Sequence, residues 1–199
     1  MDRRNLAENT DGVPDEALLV AFANGDPDAG CALLHRLAPR ILSHATRVLG
    51  NSADAEDVVQ EAMIRLWKIA PDWRQGEAKV STWLFKVVVN LCTDRLRAGS
   101  RRLQVDLASV PDPVSHEASA IDRMTHMERN NALDAALKQL PDRQRQAVVL
   151  RHMEDMSNPE IAAIMDIGVE AVESLTARGK RALTDALFER RGELGYSDD

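Results

Sequence analysis

Two charged segments of opposite sign are the residues of this sequence best suited to binding chemistry. The segment 51–61 carries four carboxylates and no base, and carboxylates on a helix face steer and orient a basic protein partner. The segment 86–102 carries five bases and one acid, a charge density that suits the phosphate groups of a nucleic acid. A smaller basic cluster follows at Arg178, Lys180 and Arg181. These segments indicate binding to macromolecules.

Motifs that mark catalytic or metal sites are missing from the sequence. There is no glycine-rich phosphate loop and no nucleophile elbow. The carboxylates of segment 51–61 follow an exposed pattern, without the burial that tunes a catalytic acid. Cys31 and His35 are spaced as two ligands on a helix can be, but nothing nearby completes a metal site. We therefore expect no enzymatic activity, no metal and no cofactor.

Helices are the elements predicted to position these segments. Aromatic residues make up only 4% of the 199 residues, and a composition rich in leucine and alanine favours helix. Apolar residues recur at helical spacing between cap, glycine and proline signals. The predicted helices of the first half run from Asp15 to Asn24, from Asp26 to Gly50, from Ser52 to Pro71 and from Ser81 to Ala98.

The second half of the chain predicts a helix-turn-helix. A helix at 129–140 ends at Pro141, Asp142 is expected to cap the next helix, and Ser157 with Glu160 forms a capping box. A turn at 166–168 then precedes a long helix from Val169 to about residue 191, an arrangement typical of DNA-binding domains. The predicted fold class is all-α, with two small helical domains joined by a flexible linker. The predicted boundaries are a tail at 1–13, domains at 14–98 and 129–191, a linker at 99–128 and a tail at 192–199.

Motifs in both halves resemble bacterial RNA polymerase sigma factors of the extracytoplasmic-function (ECF) type. The first half contains DAEDVVQE at 54–61, IRLW at 64–67, STWLF at 81–85 and Asn90. The second half contains LPDRQR at 140–145, VLR at 149–151, EIA at 160–162 and VES at 172–174. The resemblance covers residues 14–190, and it rests on the ordered pair of domains rather than on one motif. It implies a protein that binds the RNA polymerase core and promoter DNA.

The same resemblance implies three sets of contact residues. The acidic helix would grip a coiled-coil clamp on the β′ subunit of the polymerase, with the β subunit as a further partner, through Asp57, Gln60, Glu61, Met63 and Trp67. The loop and basic helix would capture the −10 element, where one base is flipped out, through Trp73, Arg74, Lys86, Asn90, Arg95, Arg97, Arg101 and Arg102. The last helix would read the −35 element through Ala171, Glu173, Ser174, Arg178, Lys180 and Arg181.

The last helix departs from the family pattern at three positions. Glu173 and Leu175 stand where family members often carry basic residues, and an acid near phosphates is repelled. Gly179 costs a helix interior about 1 kcal/mol relative to alanine. These departures bear on the strength of −35 binding and leave the domain assignment unchanged.

Further expectations concern partners and location. The resemblance implies control by an anti-sigma factor. The apolar runs are too short for membrane insertion, and two cysteines suit a reducing cytoplasm. One alternative is a sigma-like decoy that binds an anti-sigma factor but no DNA. The other is an ordinary helix-turn-helix repressor, which leaves the acidic motif at 54–61 without a role.

The net charge of −7 argues against a general nucleic-acid coat protein, which is usually basic. Segment by segment, the charge separates into an acidic helix and connector and two basic clusters. We therefore expect the free chain to bind DNA weakly and to find promoters only after it joins the polymerase.

Overall fold

A computed structural model describes residues 12–74, 76, 78–103 and 121–188, and every regular element in these ranges is helical. Side chains are described over the same ranges except at 100–103 and 121–129. The helices are α1 Asp15–Ala23, α2 Pro27–Leu49, α3 Ser52–Ile69, α4 Val80–Leu103, α5 Ile121–Gln139, α6 Asp142–His152, α7 Asn158–Met165 and α8 Val169–Phe188. The predicted all-α class is confirmed. None of these helices is long and apolar enough to cross a bilayer.

Helices α1–α4 form a first bundle whose boundaries follow local signals. Asp26 accepts hydrogen bonds from the backbone N–H groups of Asp28 and Ala29, which caps the start of α2. Gly50 ends α2 in the left-handed conformation, with φ of 69°. Asn51 then caps α3 with its side chain. Because each signal acts over a few residues, sequence reasoning located these boundaries closely.

The core of the first bundle is built mainly from aliphatic side chains of α2, α3 and α4. Close packing of α1 on α2 depends on Gly30, where an added Cβ would lie 2.6 Å from the Phe22 ring. Phe22 also contacts the ring of Trp67, with 4.5 Å between ring centroids. This packing fixes the side of α3 that faces inward.

The predicted linker at 99–128 is too long at both ends. Helix α4 continues past Gly99 to Leu103, and α5 begins at Ile121 instead of 129. A single glycine weakens a helix by about 1 kcal/mol and does not have to end it. The segment 104–120 lies outside the described residues, as do 1–11 and 189–199.

Helices α5–α8 form a second bundle that contains the predicted helix-turn-helix. Pro141 stands at the start of α6 without a side-chain cap, so the expected cap by Asp142 is wrong. Ser157 and Glu160 make both hydrogen bonds of the capping box at α7. Asp166 adopts the left-handed conformation in the turn before α8, with φ of 54°.

The packing of α6 against α8 explains why glycine is present at position 179. A Cβ at this position would lie 2.5 Å from Cγ2 of Val148 on α6. The glycine therefore lets α6 approach α8, and the cost that its helix propensity predicts is offset by tertiary contact.

The two bundles pack directly against each other. Helices α2 and α4 of the first bundle contact α5, α6 and α7 of the second. One continuous group of buried apolar side chains extends from the first bundle to residues of α6, α7 and α8. Lys79 Nζ also lies 2.8 Å from Oε1 of Glu160. Hydrogen bonds from Lys79 and from the side chain and backbone N–H of Ser157 lower the pKa of the Glu160 carboxyl to about 2.

His44 of α2 is fully buried against Phe85, with 5.6 Å between ring centroids. Neither ring nitrogen has a hydrogen-bond partner among the described residues. Burial, and secondarily the nearby Arg47 charge, lower the pKa of His44 from 6.5 to about 3. Below pH 6.5 His44 therefore becomes protonated in the unfolded chain but stays neutral in the folded chain. The free energy of unfolding consequently falls as the pH falls.

Replacing His44 with leucine should remove this pH dependence. The wild-type chain should lose about 1.4 kcal/mol of His44-dependent unfolding free energy between pH 7.5 and pH 5.5, since one pKa unit corresponds to about 1.36 kcal/mol. Urea unfolding at both pH values measures the difference between the two proteins. His35→Leu, on the exposed side of the same helix, should retain the wild-type pH dependence. An equal pH dependence in wild type and His44→Leu would contradict the prediction.

Candidate protein-docking and nucleic-acid interfaces

The acidic helix α3 presents a continuous face to solvent. Asp57, Gln60, Glu61 and Ile64 stand at positions i, i+3, i+4 and i+7 and so lie on one side of the helix. The side chains of Asp57 and Glu61 are 66% and 44% exposed. We call these four residues the docking face. Its carboxylates can attract a basic partner and its one apolar side chain can be buried on contact.

Ile64 is the docking-face residue that sequence reasoning missed. It is 51% exposed, although a large aliphatic side chain on an amphipathic helix is usually buried. Its position four residues after Gln60 and three after Glu61 was the available signal, because it places Ile64 on the polar side of α3.

Two apolar residues assigned to the same interface have inward contacts. Met63 is only 4% exposed and belongs to the core of the first bundle, so it cannot serve as a surface contact in this fold. Trp67 is half-buried, with its ring against Phe22. Ile64, not Met63, is the exposed apolar side chain beside the carboxylates of α3.

Helix α4 carries an exposed polar stripe of Lys86, Asn90 and Arg97. The three residues lie on one side of the helix because they are separated by four and seven residues. The stripe combines two cations, Lys86 and Arg97, which can bind phosphates, with the amide of Asn90, which can hydrogen-bond a base edge. We call this set the α4 stripe. Arg101 and Arg102 continue the helix, but their side chains lie outside the described residues.

Arg95 has a structural role that excludes it from the α4 stripe. Its Nη1 donates to the backbone oxygen of Asp54 at 2.9 Å. The same nitrogen lies 3.5 Å from Oδ1 of Asp54 and 3.6 Å from Oδ2 of Asp57. Arg95 therefore joins α4 to the beginning of α3, and its role as a phosphate ligand stays a prediction. Its partners lie about forty residues away in sequence, which explains why spacing did not reveal them.

The loop before α4 borders an open cleft of about 570 Å³, lined by Pro14, Glu16, Ala17, Gly76, Ala78 and Lys79. Glu16 accepts a hydrogen bond from the backbone N–H of Val80 at 3.1 Å, which anchors the start of α4 beside the cleft.

Trp73 packs edge-on against Trp83 at 6.2 Å between ring centroids and is half-buried. Arg74 is exposed. Trp73 therefore supports the loop, and the cleft is the place that an unstacked base could occupy.

The six residues predicted to contact DNA on α8 are all exposed. Glu173 differs from the others, because it accepts a hydrogen bond from Nδ2 of Asn158 at 3.5 Å. That contact ties the carboxylate to the first residue of α7. Arg178, Lys180 and Arg181 follow later on α8, where they add positive charge beside the early-turn positions Ala171 and Ser174.

Comparison with protein families matches both bundles. The model of sigma-70 region 2 matches residues 33–102. The model of sigma-70 region 4 matches residues 130–183. The two matches cover the docking face and the α4 stripe in one case and the helix-turn-helix in the other.

Two known sigma factors are similar to this chain over most of its length. The chain is 32% identical over 175 residues to the ECF RNA polymerase sigma factor SigW of Bacillus subtilis, which covers 82% of this chain and 91% of that protein. It is 31% identical over 178 residues to the ECF RNA polymerase sigma-E factor of Escherichia coli, covering 85% of this chain and 92% of that protein.

Two solved structures have a similar fold. The sigma factor RpoE from Bartonella quintana, in complex with the anti-sigma factor NepR, has a TM-score of 0.65 and 23% identity, covering 77% of this chain and 93% of that chain. CnrH in complex with the cytosolic domain of CnrY has a TM-score of 0.64 and 24% identity, covering 88% of this chain and 97% of that chain.

Proposed function

The chain belongs to the ECF family of RNA polymerase sigma factors, and we propose that it divides the work of promoter-specific initiation among three separate surfaces. The observation that supports this most is the order of the two matched regions along one chain, each with an exposed surface suited to its partner. The family consists of transcription regulators, and catalysis resides in the polymerase.

The docking face is proposed to hold the polymerase core through the coiled-coil clamp of the β′ subunit. Glu61 and Asp57 would steer basic groups of the clamp, and Ile64 would supply the buried apolar contact at the centre of the face. Gln60 is positioned to hydrogen-bond the partner backbone or side chains. Trp67 acts at the margin of this contact, because its ring is held against Phe22.

The α4 stripe is proposed to capture the −10 element. Lys86 and Arg97 would bind phosphates, which gives affinity without sequence choice. Asn90 would hydrogen-bond a base edge, and the cleft beside Glu16 and Lys79 would receive a base flipped from the stack. Binding of unstacked bases would offset the cost of opening the duplex, a few kcal/mol per step.

Helix α8 is proposed to contact the −35 element. Ala171 and Ser174 lie in the early turns that enter the major groove, and the later cations would meet the phosphate backbone. Glu173 accepts a hydrogen bond from Asn158 but keeps its negative charge, so it is expected to weaken contact with nearby phosphates. The chain is also proposed to be controlled by an anti-sigma factor, because RpoE of Bartonella quintana, which has a similar fold, is bound to the anti-sigma factor NepR.

Run-off transcription with purified polymerase core on a library of promoter sequences tests this function. We expect specific start sites only when the chain is added to core. Core binding without initiation would instead favour a sigma-like decoy. DNA binding without any affinity for core would favour an ordinary helix-turn-helix repressor.

A further inference from the structure

The early turns of α8 present an unusual set of side chains for a helix that enters the major groove. Residues 170–177 contain neither arginine nor lysine, the side chains that bind O6 and N7 of guanine. The exposed residues of this stretch are Glu170, Ala171, Glu173, Ser174 and Ala177. Base edges would therefore meet carboxylates, methyl groups and one hydroxyl, and any choice of base has to come from these groups.

The cations of α8 stand later on the helix and lie along its backbone. Nε of Arg178 donates to the backbone oxygen of Ser174 at 3.2 Å, and Nε of Arg181 donates to that of Ala177 at 3.4 Å. These bonds use Nε, whereas a guanidinium carries further donors on its terminal nitrogens. Such donors suit phosphate oxygens. The cations thus supply affinity, and base reading is left to the early turns.

Glu173 is the early-turn carboxylate whose orientation is set by a neighbouring helix. Its Oε1 accepts a hydrogen bond from Nδ2 of Asn158 at 3.5 Å, and Asn158 is the first residue of α7. A carboxylate offers about four acceptor sites on its two oxygens, so one contact leaves most of this capacity for DNA. The contact also restricts the rotamers of a long exposed side chain, which lowers the entropy lost on binding.

Small side chains surround Glu173 on the exposed side of α8. Ser174 follows it directly, and Ala177 lies one turn later on the same side. Small residues let the helix backbone approach the base edges closely, and alanine can contact the methyl group of thymine. Glu173 is the longer side chain among them and extends furthest into a groove.

We propose that Glu173 selects cytosine at one position of the −35 element, with Asn158 as its positioning residue. The proposal rests on the proposed contact of α8 with that element. Cytosine presents its N4 amino donor to the major groove, which a carboxylate can accept, whereas guanine and thymine present acceptor oxygens. Adenine presents a donor beside the acceptor N7. The charge of Glu173 weakens binding to every sequence, and it weakens binding least where cytosine faces it.

Run-off transcription with the full chain and purified core tests the assignment. The promoters carry each base at every −35 position on an unchanged −10 element. Glu173→Gln replaces an acceptor by an amide, which pairs with N6 and N7 of adenine. We expect the ratio of initiation from cytosine to initiation from adenine to fall about tenfold at one position. Preferences at the other positions should remain, and promoters without that cytosine should bind more tightly.

Asp185→Asn is the matched control for the lost charge. Asp185 is exposed on the same helix twelve residues later, which is about 18 Å along the axis at 1.5 Å per residue. That distance exceeds the major-groove width of about 12 Å. The control should therefore change initiation from all promoters by a similar factor and leave base preference unaltered.

Asn158→Ala tests the positioning role. Loss of the amide donor leaves Glu173 in place but frees its rotamers, so preference for cytosine should fall about threefold at the position that Glu173→Gln alters. A purely structural role of Asn158 would instead lower initiation from all promoters alike. That uniform loss would overturn the positioning role.

Three outcomes would overturn the cytosine assignment. They are a wild-type chain without cytosine preference at any −35 position, a Glu173→Gln variant with the wild-type preference, and a Glu173→Gln effect that is uniform as in Asp185→Asn. Failure of the wild-type chain to initiate from any promoter would count against the proposed function. Selection of duplex DNA from a random pool by the free chain at low salt, where phosphate binding is strongest, would then still decide whether Glu173 selects cytosine.

Discussion

Replacing Ile64 with glutamate should weaken binding of the chain to purified polymerase core by about tenfold or more. An apolar side chain at the centre of an interface commonly contributes more than 1 kcal/mol, and burying a new carboxylate in its place adds a desolvation cost. Ile64 is 51% exposed in the free chain, so the substitution should leave the thermal unfolding midpoint almost unchanged. Titration of labelled chain with core, followed by fluorescence anisotropy, measures the effect.

Ile64→Met is the matched control at the same position. It keeps an apolar side chain of similar volume and should bind core within about twofold of wild type, because volume-conserving apolar substitutions are tolerated well. If Ile64→Glu binds core as tightly as Ile64→Met, the docking face is not the polymerase contact. A drop in unfolding midpoint for Ile64→Glu would show instead that the side chain supports the fold.

Local signals explain why so much of the fold could be predicted from the sequence. Asp26 before Pro27, Gly50 after α2, and Ser157 with Glu160 each act within three or four residues, and each appears in the structure as predicted. Residue spacing also placed the docking-face carboxylates on an exposed side of α3.

Roles set by distant partners could not be predicted in this way. Arg95 is bound to Asp54, which lies 41 residues earlier in the chain, and Arg145 is bound to Val48. The sequence predicted Arg95 as a DNA contact and showed Arg145 only as part of the LPDRQR motif, and neither long-range partner was visible from spacing. Met63 and Ile64 are adjacent, and a small rotation of the assumed helix face decides which of the two is buried. Gly179 looked unfavourable until Val148 was seen packed against it.

Replacing Asn90 with alanine should lower initiation from a matched promoter by about tenfold, within the range of 1–3 kcal/mol for loss of a specific base contact. Asn90 is exposed on the α4 stripe, so the fold should be unaffected. The informative measurement is run-off transcription across promoters that carry each base at every −10 position. We expect preference at one position to collapse while preference at the others remains, because only the base edge paired with Asn90 loses its contact.

The variant Lys86→Ala distinguishes loss of phosphate binding from loss of base recognition. Lys86 lies one turn before Asn90 on the same side of α4, and as a phosphate contact it should lower initiation from all promoters by a similar factor. It should also reduce the salt dependence of promoter binding by about one phosphate, a slope change of about 0.9. A uniform loss for Asn90→Ala, with the same salt effect as Lys86→Ala, would mean that Asn90 contributes to backbone binding alone. Base choice at the −10 element would then have to come from the cleft beside Glu16 and Lys79, where an unstacked base has room to bind.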